Sequence, residues 1–69
     1  SDAEISSLIF RRSLYIAEDM KQGDVLTEKN LCIVRPGLGL PPKYFDIILG
    51  RRVNQDVKKG TVVSWDLID

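Results

Sequence analysis

The segment AEDMKQGDVLT, residues 17–27, recurs as NQDVKKGTVVS, residues 54–64, at an offset of 37 positions. Both copies follow one pattern: Asp, apolar, Lys, any residue, Gly, any residue, Val, apolar, then Ser or Thr. Self-similarity of this kind is typical of a supersecondary unit that is present twice. We therefore predict two copies of one small unit, related by an approximate two-fold axis.

Each copy predicts the same succession of short elements. The runs FRRSLYIA, residues 10–17, and RRVNQD, residues 51–56, indicate extended chain before each turn. Gly23 and Gly60 stand at the tightest point of the turn, where a positive φ is expected. A two-residue apolar strand and a Thr or Ser follow, and that hydroxyl residue stands where the N-cap of one helical turn would lie. Long helices and long strands are not expected.

The two copies are joined by RPGLGLPP, residues 35–42, which holds all three prolines and two of the five glycines. This composition predicts a loop. The following residues, PKYFDIIL at 42–49, predict a short helix, with Gly50 as its left-handed C-cap. Tyr44, Ile47 and Ile48 are spaced to share one helix face, which we expect to pack into the core.

The composition excludes several classes of function. The chain has 69 residues, 10 basic and 10 acidic, so its net charge is zero, and the basic excess of a nucleic-acid or membrane-surface binder is absent. It has no His and one Cys, which excludes an internal disulfide and removes the commonest general base and metal ligand. We therefore predict no catalytic residue and no metal site within this chain.

Arg35 is the residue that the pattern singles out. It is the only charged residue between Asn30 and Lys43, at the start of the Gly/Pro loop. A guanidinium presents several donors in a fixed fork that suits a carbonyl or carboxylate group. From the residues alone an exposed Arg without a ligand remains the alternative. Gly37-Leu38-Gly39 lacks the third glycine of a phosphate loop and is interpreted as a plain turn.

Four stretches together resemble one family, and they run over about residues 10–68: RRSLYIAEDMKQGDVLT, LCIVRPGLG, PPKYFDIILGRRV and DVKKGTVVSWDLI. They are similar to the C-terminal antifreeze-like (SAF) domain of sialic acid synthases and related nonulosonic acid synthases. The resemblance implies a β-clip fold, mostly irregular β with short helical turns and a pseudo-two-fold internal repeat. Residues 10–69 would form this domain, and residues 1–9 a linker or a leftover of the expression vector.

The resemblance also implies a function. In the family, a TIM barrel condenses phosphoenolpyruvate with an N-acyl amino sugar such as N-acetylmannosamine, using a divalent metal such as Mn or Mg held on the barrel. The synthase is a domain-swapped homodimer in which each SAF domain caps the partner subunit's barrel. The family's Arg that binds the acetamido group matches Arg35, and Gly37 and Gly39 would let the loop approach the sugar. No cofactor is expected in this domain.

The isolated domain is expected to be an inactive, cytoplasmic monomer that binds neither nucleic acid nor membrane. The family also includes ice-binding proteins, but the dense charge of residues 18–30 does not suit an ice plane. A stand-alone SAF interaction or chaperone module without sugar binding is the alternative function. An upstream barrel pattern would favour the cap, and an upstream signal peptide would favour the chaperone.

Overall fold

The fold rests on short, mostly irregular β structure. A computed structural model describes residues 10–69, and the predicted linker at residues 1–9 lies outside the described residues. Strand β1, Ser13–Ile16, pairs antiparallel with strand β2, Leu31–Val34, so that Ser13 faces Val34 and Ile16 faces Leu31. The predicted short strands at Val25 and Val62 appear only as isolated bridges. Over the residues described, none of the helices has the length and apolar character to span a membrane.

Short helical segments follow strand β2 in the described part of the chain. A 3₁₀ turn at Pro42–Tyr44 leads directly into helix α1, Phe45–Ile48, and a second 3₁₀ turn spans Trp65–Leu67. The short helix predicted from PKYFDIIL is confirmed, and Gly50 ends it with a φ of 87°. A single turn also follows Thr27, whose carbonyl accepts the Leu31 N–H at 3.2 Å. Proline at the start and left-handed glycine at the end account for the shortness of the first segment.

The two Lys-x-Gly turns have matching backbone geometry. Gly23 and Gly60 have φ values of 91° and 90°, as the sequence predicted. The Gly23 N–H donates to the Val53 carbonyl at 2.8 Å, and the Gly60 N–H donates to the Ile16 carbonyl at 2.8 Å. Each turn is therefore closed onto the extended segment of the other copy, so the two copies interlock.

Side-chain contacts of the two turns match in the same way. Asp19 accepts the backbone N–H of Lys59 at 2.8 Å through its carboxylate. Asp56, its counterpart, accepts the backbone N–H of Gln22 at 2.8 Å. Both aspartates therefore bind turn amides, and each carboxylate accepts from the opposite turn.

The core is a single cluster that both copies fill. Most of its members occur in pairs whose numbers differ by the repeat offset of 37. Since residues 10–69 form no long helix or strand, the burial of these aliphatic side chains is the main stabilising contribution. The buried members are Leu14, Ile16, Met20, Leu26, Leu31, Ile48, Val53, Val57, Val63 and Ile68.

The prediction that Ile47 packs into the core is wrong. Ile48 is 0% exposed, whereas Ile47 is 53% exposed. Tyr44, Phe45 and Leu49 pack against the core together with Ile48. The buried stripe therefore follows positions i, i+1, i+4 and i+5, and the i+3 position lies outside it.

The neighbouring isoleucines allow a matched stability test. We expect Ile48→Val to lower the free energy of unfolding by about 0.5–1.5 kcal/mol, because it removes a methylene from a fully buried site. Ile47→Val should change it by less than about 0.5 kcal/mol, since that side chain faces solvent. Urea unfolding of both variants measures the difference, and equal losses would contradict the assigned core face.

Candidate functional site

The candidate site is the loop between β2 and the first 3₁₀ turn, residues 35–41. Arg35 is exposed and directly follows the last residue of β2. Its neighbours Val34 and Leu38 are also exposed, Leu38 to 62%. An exposed cation close to exposed apolar side chains is typical of a surface that binds a partner or ligand and is dehydrated on binding.

The base of the loop is held by hydrogen bonds to one carbonyl. The Pro36 carbonyl oxygen accepts the Tyr15 hydroxyl at 2.7 Å and the Ser13 hydroxyl at 3.1 Å. It also accepts the Leu38 N–H at 3.0 Å, and the Arg35–Pro36 peptide bond is cis. The residue next to Arg35 is thus tied to strand β1 by two side chains.

The far end of the loop is tied to the same strand. The Gly39 N–H donates to the Ser13 hydroxyl oxygen at 3.1 Å, and Ser13 is buried. The Leu14 N–H donates to the Leu40 carbonyl at 2.9 Å, and the Leu40 N–H donates to the Val63 carbonyl at 2.9 Å. Ser13 therefore links both ends of the loop, accepting from one end and donating to the other.

Both loop glycines are required by close packing inside the domain. A Cβ at Gly39 would lie 2.6 Å from the Val62 Cγ1, 2.8 Å from the Val63 carbonyl oxygen and 2.9 Å from the Leu14 carbonyl oxygen. A Cβ at Gly37 would lie 2.9 Å from the Arg11 Cβ. Neither glycine has a positive φ. Their lack of a side chain lets the loop lie against the strands.

An open cleft of about 440 Å³ lies behind the loop. Its walls combine two exposed guanidinium-bearing residues with the glycines and prolines of the loop. Arg11 and Arg12 are both exposed. The lining residues are Arg11, Arg12, Gly37, Gly39, Pro41 and Pro42.

All three residues predicted to bind substrate lie on this one loop, and Arg35 alone of them presents a functional side chain. The sequence reasoning missed Ser13 and Tyr15, which hold the loop in place. They stand at i and i+2 of β1, so their side chains leave the strand on the same face. The sequence feature that could have indicated this role is the pair of hydroxyl residues at alternate positions of a predicted strand, in a chain with one Pro/Gly loop for them to hold.

Comparison with known proteins places this geometry in a family. The SAF domain family matches residues 11–69. This chain belongs to the SAF domain family. The match includes strand β1, the Arg35 loop and both Lys-x-Gly turns, and so nearly all of the chain that the structure describes.

Relatives of this SAF domain occur within longer proteins. It is 42% identical over 60 residues to the pseudaminic acid synthase of Helicobacter pylori. The aligned residues cover 87% of this chain and 18% of that protein. The chain thus spans less than a fifth of the length of the curated relative.

Two solved structures share the fold. A spore coat polysaccharide biosynthesis protein from Bacillus subtilis superposes with a TM-score of 0.83 at 28% identity, over 99% of this chain and 20% of that one. An antifreeze-protein-like domain in the human N-acetylneuraminic acid phosphate synthase gene superposes with a TM-score of 0.75 at 24% identity, over 83% of this chain and 73% of that one. The antifreeze-like fold implied by the sequence is therefore confirmed.

Proposed function

We propose that this SAF domain is the C-terminal cap of a nonulosonic acid synthase. In this role it covers the barrel active site of the partner subunit in a domain-swapped homodimer, and it is inactive alone. The observation that carries the proposal is the Arg35 loop, an exposed cation on a backbone held by two hydroxyls, with the exposed apolar residues Val34 and Leu38 close to it in the sequence. Similarity to the H. pylori pseudaminic acid synthase supports it.

The chemistry assigned to the cap is recognition and not bond making. The Arg35 guanidinium donates hydrogen bonds to the acyl oxygen of an N-acyl amino sugar, of the N-acetylmannosamine class, while the barrel condenses that sugar with phosphoenolpyruvate. Charge-assisted hydrogen bonds of this kind are roughly twice as strong as neutral ones. Val34 and Leu38 exclude water around the contact, which strengthens it further.

The remaining groups belong to parts of the synthase outside this chain. A divalent metal such as Mn or Mg, and the ligands of phosphoenolpyruvate, are assigned to the barrel. Gly37 and Gly39 act indirectly. Gly37 packs against Arg11, and Gly39 packs against Leu14 and the Val62–Val63 segment, and these contacts fix how far the loop stands out from the domain. The assembled enzyme is assigned to the cytoplasm, where phosphoenolpyruvate is made.

A subunit-mixing experiment, assayed at an amino-sugar concentration well below the wild-type KM, tests the proposal. One subunit carries Arg35→Ala in its cap, and the other carries a substitution that inactivates its barrel. If caps are exchanged, a mixed dimer has one complete site, in which an intact barrel meets the intact cap of its partner. Random pairing should then restore about a quarter of wild-type activity, because about half of the dimers are mixed and each has one working site.

The controls separate the two halves of the proposal. Each parent homodimer alone should show only its own residual activity. Failure of mixing to restore activity would place the cap on its own subunit and refute the exchange. Full activity of the Arg35→Ala homodimer at this low sugar concentration would remove Arg35 from the sugar site.

We also propose that the two copies are related by a pseudo-two-fold axis between the Lys-x-Gly turns. Met20 and Val57, 37 positions apart, exchange N–H···O=C hydrogen bonds of 2.7 and 2.8 Å, as residues beside such an axis do. The reciprocal Asp19 and Asp56 contacts lie on either side of this pair. The symmetry makes the two aspartate contacts equivalent, although the turns differ elsewhere, since Asp24 accepts the Lys21 N–H in the first turn and Thr61 stands at that position in the second.

Equivalence predicts matched losses of stability. Asp19→Ala and Asp56→Ala should each lower the free energy of unfolding by about 0.5–1.5 kcal/mol, since each leaves one turn amide without its carboxylate. Asp66→Ala, at an exposed aspartate outside both turns, is the control. Chemical denaturation measures all three, and losses that differ several-fold between Asp19 and Asp56 would contradict the equivalence.

A further inference from the structure

The structure assigns a positioning role to the Tyr15 hydroxyl: through the Pro36 carbonyl, it sets the direction in which Arg35 leaves the domain. This inference rests on the proposed function of Arg35. It concerns a side chain that lies on strand β1, outside the loop, and that has no contact with the sugar in the proposal. Tyr15 is therefore a positioning residue and not a catalytic one.

The geometry around Pro36 carries the inference. The Tyr15 hydroxyl makes the shortest of the three hydrogen bonds to the Pro36 carbonyl, 2.7 Å against 3.0 and 3.1 Å. The bond joins the loop to a rigid part of the fold, because Tyr15 is paired with Cys32 in the sheet and forms a bridge to Val62 on its other side. Pro36 is bonded directly to Arg35, so a shift of its carbonyl changes where the guanidinium points.

Ser13 and Tyr15 hold the loop through different hydrogen bonds. Ser13 links Pro36 to Gly39 and so closes the loop on itself, and it is buried at the floor of the loop. Tyr15 is only half-buried and contributes a single bond, to the end next to Arg35. Removing the Tyr15 hydroxyl therefore leaves the Pro36 carbonyl with only its two longer hydrogen bonds, from Ser13 and the Leu38 N–H. The carbonyl next to Arg35 is then less tightly fixed, while Ser13 keeps the loop closed.

Tyr15→Phe in the full-length synthase tests the inference. We expect the KM for the N-acyl amino sugar to rise about 3- to 10-fold, the effect of one lost hydrogen bond, with the KM for phosphoenolpyruvate unchanged. Tyr44→Phe is the matched control, because the Tyr44 ring contacts Trp65 edge-to-face at 5.4 Å and lies on the helical segment. It should leave both KM values unchanged.

A double variant separates positioning from a general structural effect. In an Arg35→Ala background, Tyr15→Phe should change the sugar KM no further, since there is no guanidinium left to direct. An equal further loss in that background would overturn the inference, as would an unchanged sugar KM in Tyr15→Phe when Arg35→Ala raises it.

Spectra of the 69-residue chain itself provide a readout that does not depend on the sugar. Tyr15→Phe should shift the backbone amide resonances of residues 37–39 and the Arg35 side-chain Nε–H resonance, and Tyr44→Phe should not. Shifts in the spectra together with normal kinetics for Arg35→Ala would refute the proposed sugar contact but retain the anchor. Unchanged spectra would refute the anchor itself.

Discussion

Replacing Arg35 with alanine in the full-length synthase is expected to lower kcat/KM for the amino sugar roughly 5- to 150-fold. This corresponds to a loss of about 1–3 kcal/mol in transition-state stabilisation. The loss should appear mainly as a higher KM for the sugar, because the guanidinium binds a group that does not react. The KM for phosphoenolpyruvate should not change, since its ligands are assigned to the barrel. Steady-state kinetics with each substrate varied in turn measures both.

Two further variants distinguish direct contact by Arg35 from a general effect of its charge. Arg35→Lys keeps the charge but loses the planar fork, so its KM should lie between those of the wild type and Arg35→Ala. Arg51→Ala removes the same charge from an exposed position outside the loop and should have no effect. If Arg51→Ala raised the sugar KM as much as Arg35→Ala, long-range charge and not direct contact would explain the result.

Replacing Gly39 with alanine is expected to be the most destabilising single change in the loop, at about 3 kcal/mol, the upper end for overpacking. Two of the three atoms nearest to the added Cβ are carbonyl oxygens, of Leu14 and Val63, at 2.9 and 2.8 Å. Those oxygens accept the N–H groups of Val63 and Leu40, so they cannot move away without breaking these two backbone hydrogen bonds. Urea unfolding of the 69-residue chain measures the loss.

Gly37→Ala provides the comparison for this prediction. The nearest atom to its added Cβ is the Arg11 Cβ at 2.9 Å, and Arg11 is exposed and precedes β1. Because the contacts at Gly37 are with one exposed residue, and those at Gly39 are with three residues that include two hydrogen-bonded carbonyls, the loss should be smaller than that of Gly39→Ala. The reverse order would show that the loop does not lie against β1 as described. For a domain of this size a loss of about 3 kcal/mol is a large share of the total stability.

Much of the fold could be predicted from local signals. The positive φ of Gly23 and Gly60, the short helix over residues 42–49 and the left-handed Gly50 each depend on the chemistry of a few consecutive residues. A glycine widens, and a proline restricts, the backbone conformations open to the chain at that position, so these features do not depend on the tertiary packing around them. The burial of Ile48 in place of Ile47 was decided by the rest of the core, because a helix of four residues has no face of its own.

The candidate site divides in the same way. The sequence by itself determined that Arg35 stands alone in a Pro/Gly loop, since charge and composition are properties of the chain. Only the tertiary structure decided that Tyr15 and Ser13 hold Pro36, more than 20 positions away along the chain, and that Gly39 lies against Leu14 and Val63. Contacts of this kind depend on which segments the core brings together. The residues next to a hydroxyl or a glycine in the sequence do not indicate which distant residue it will contact.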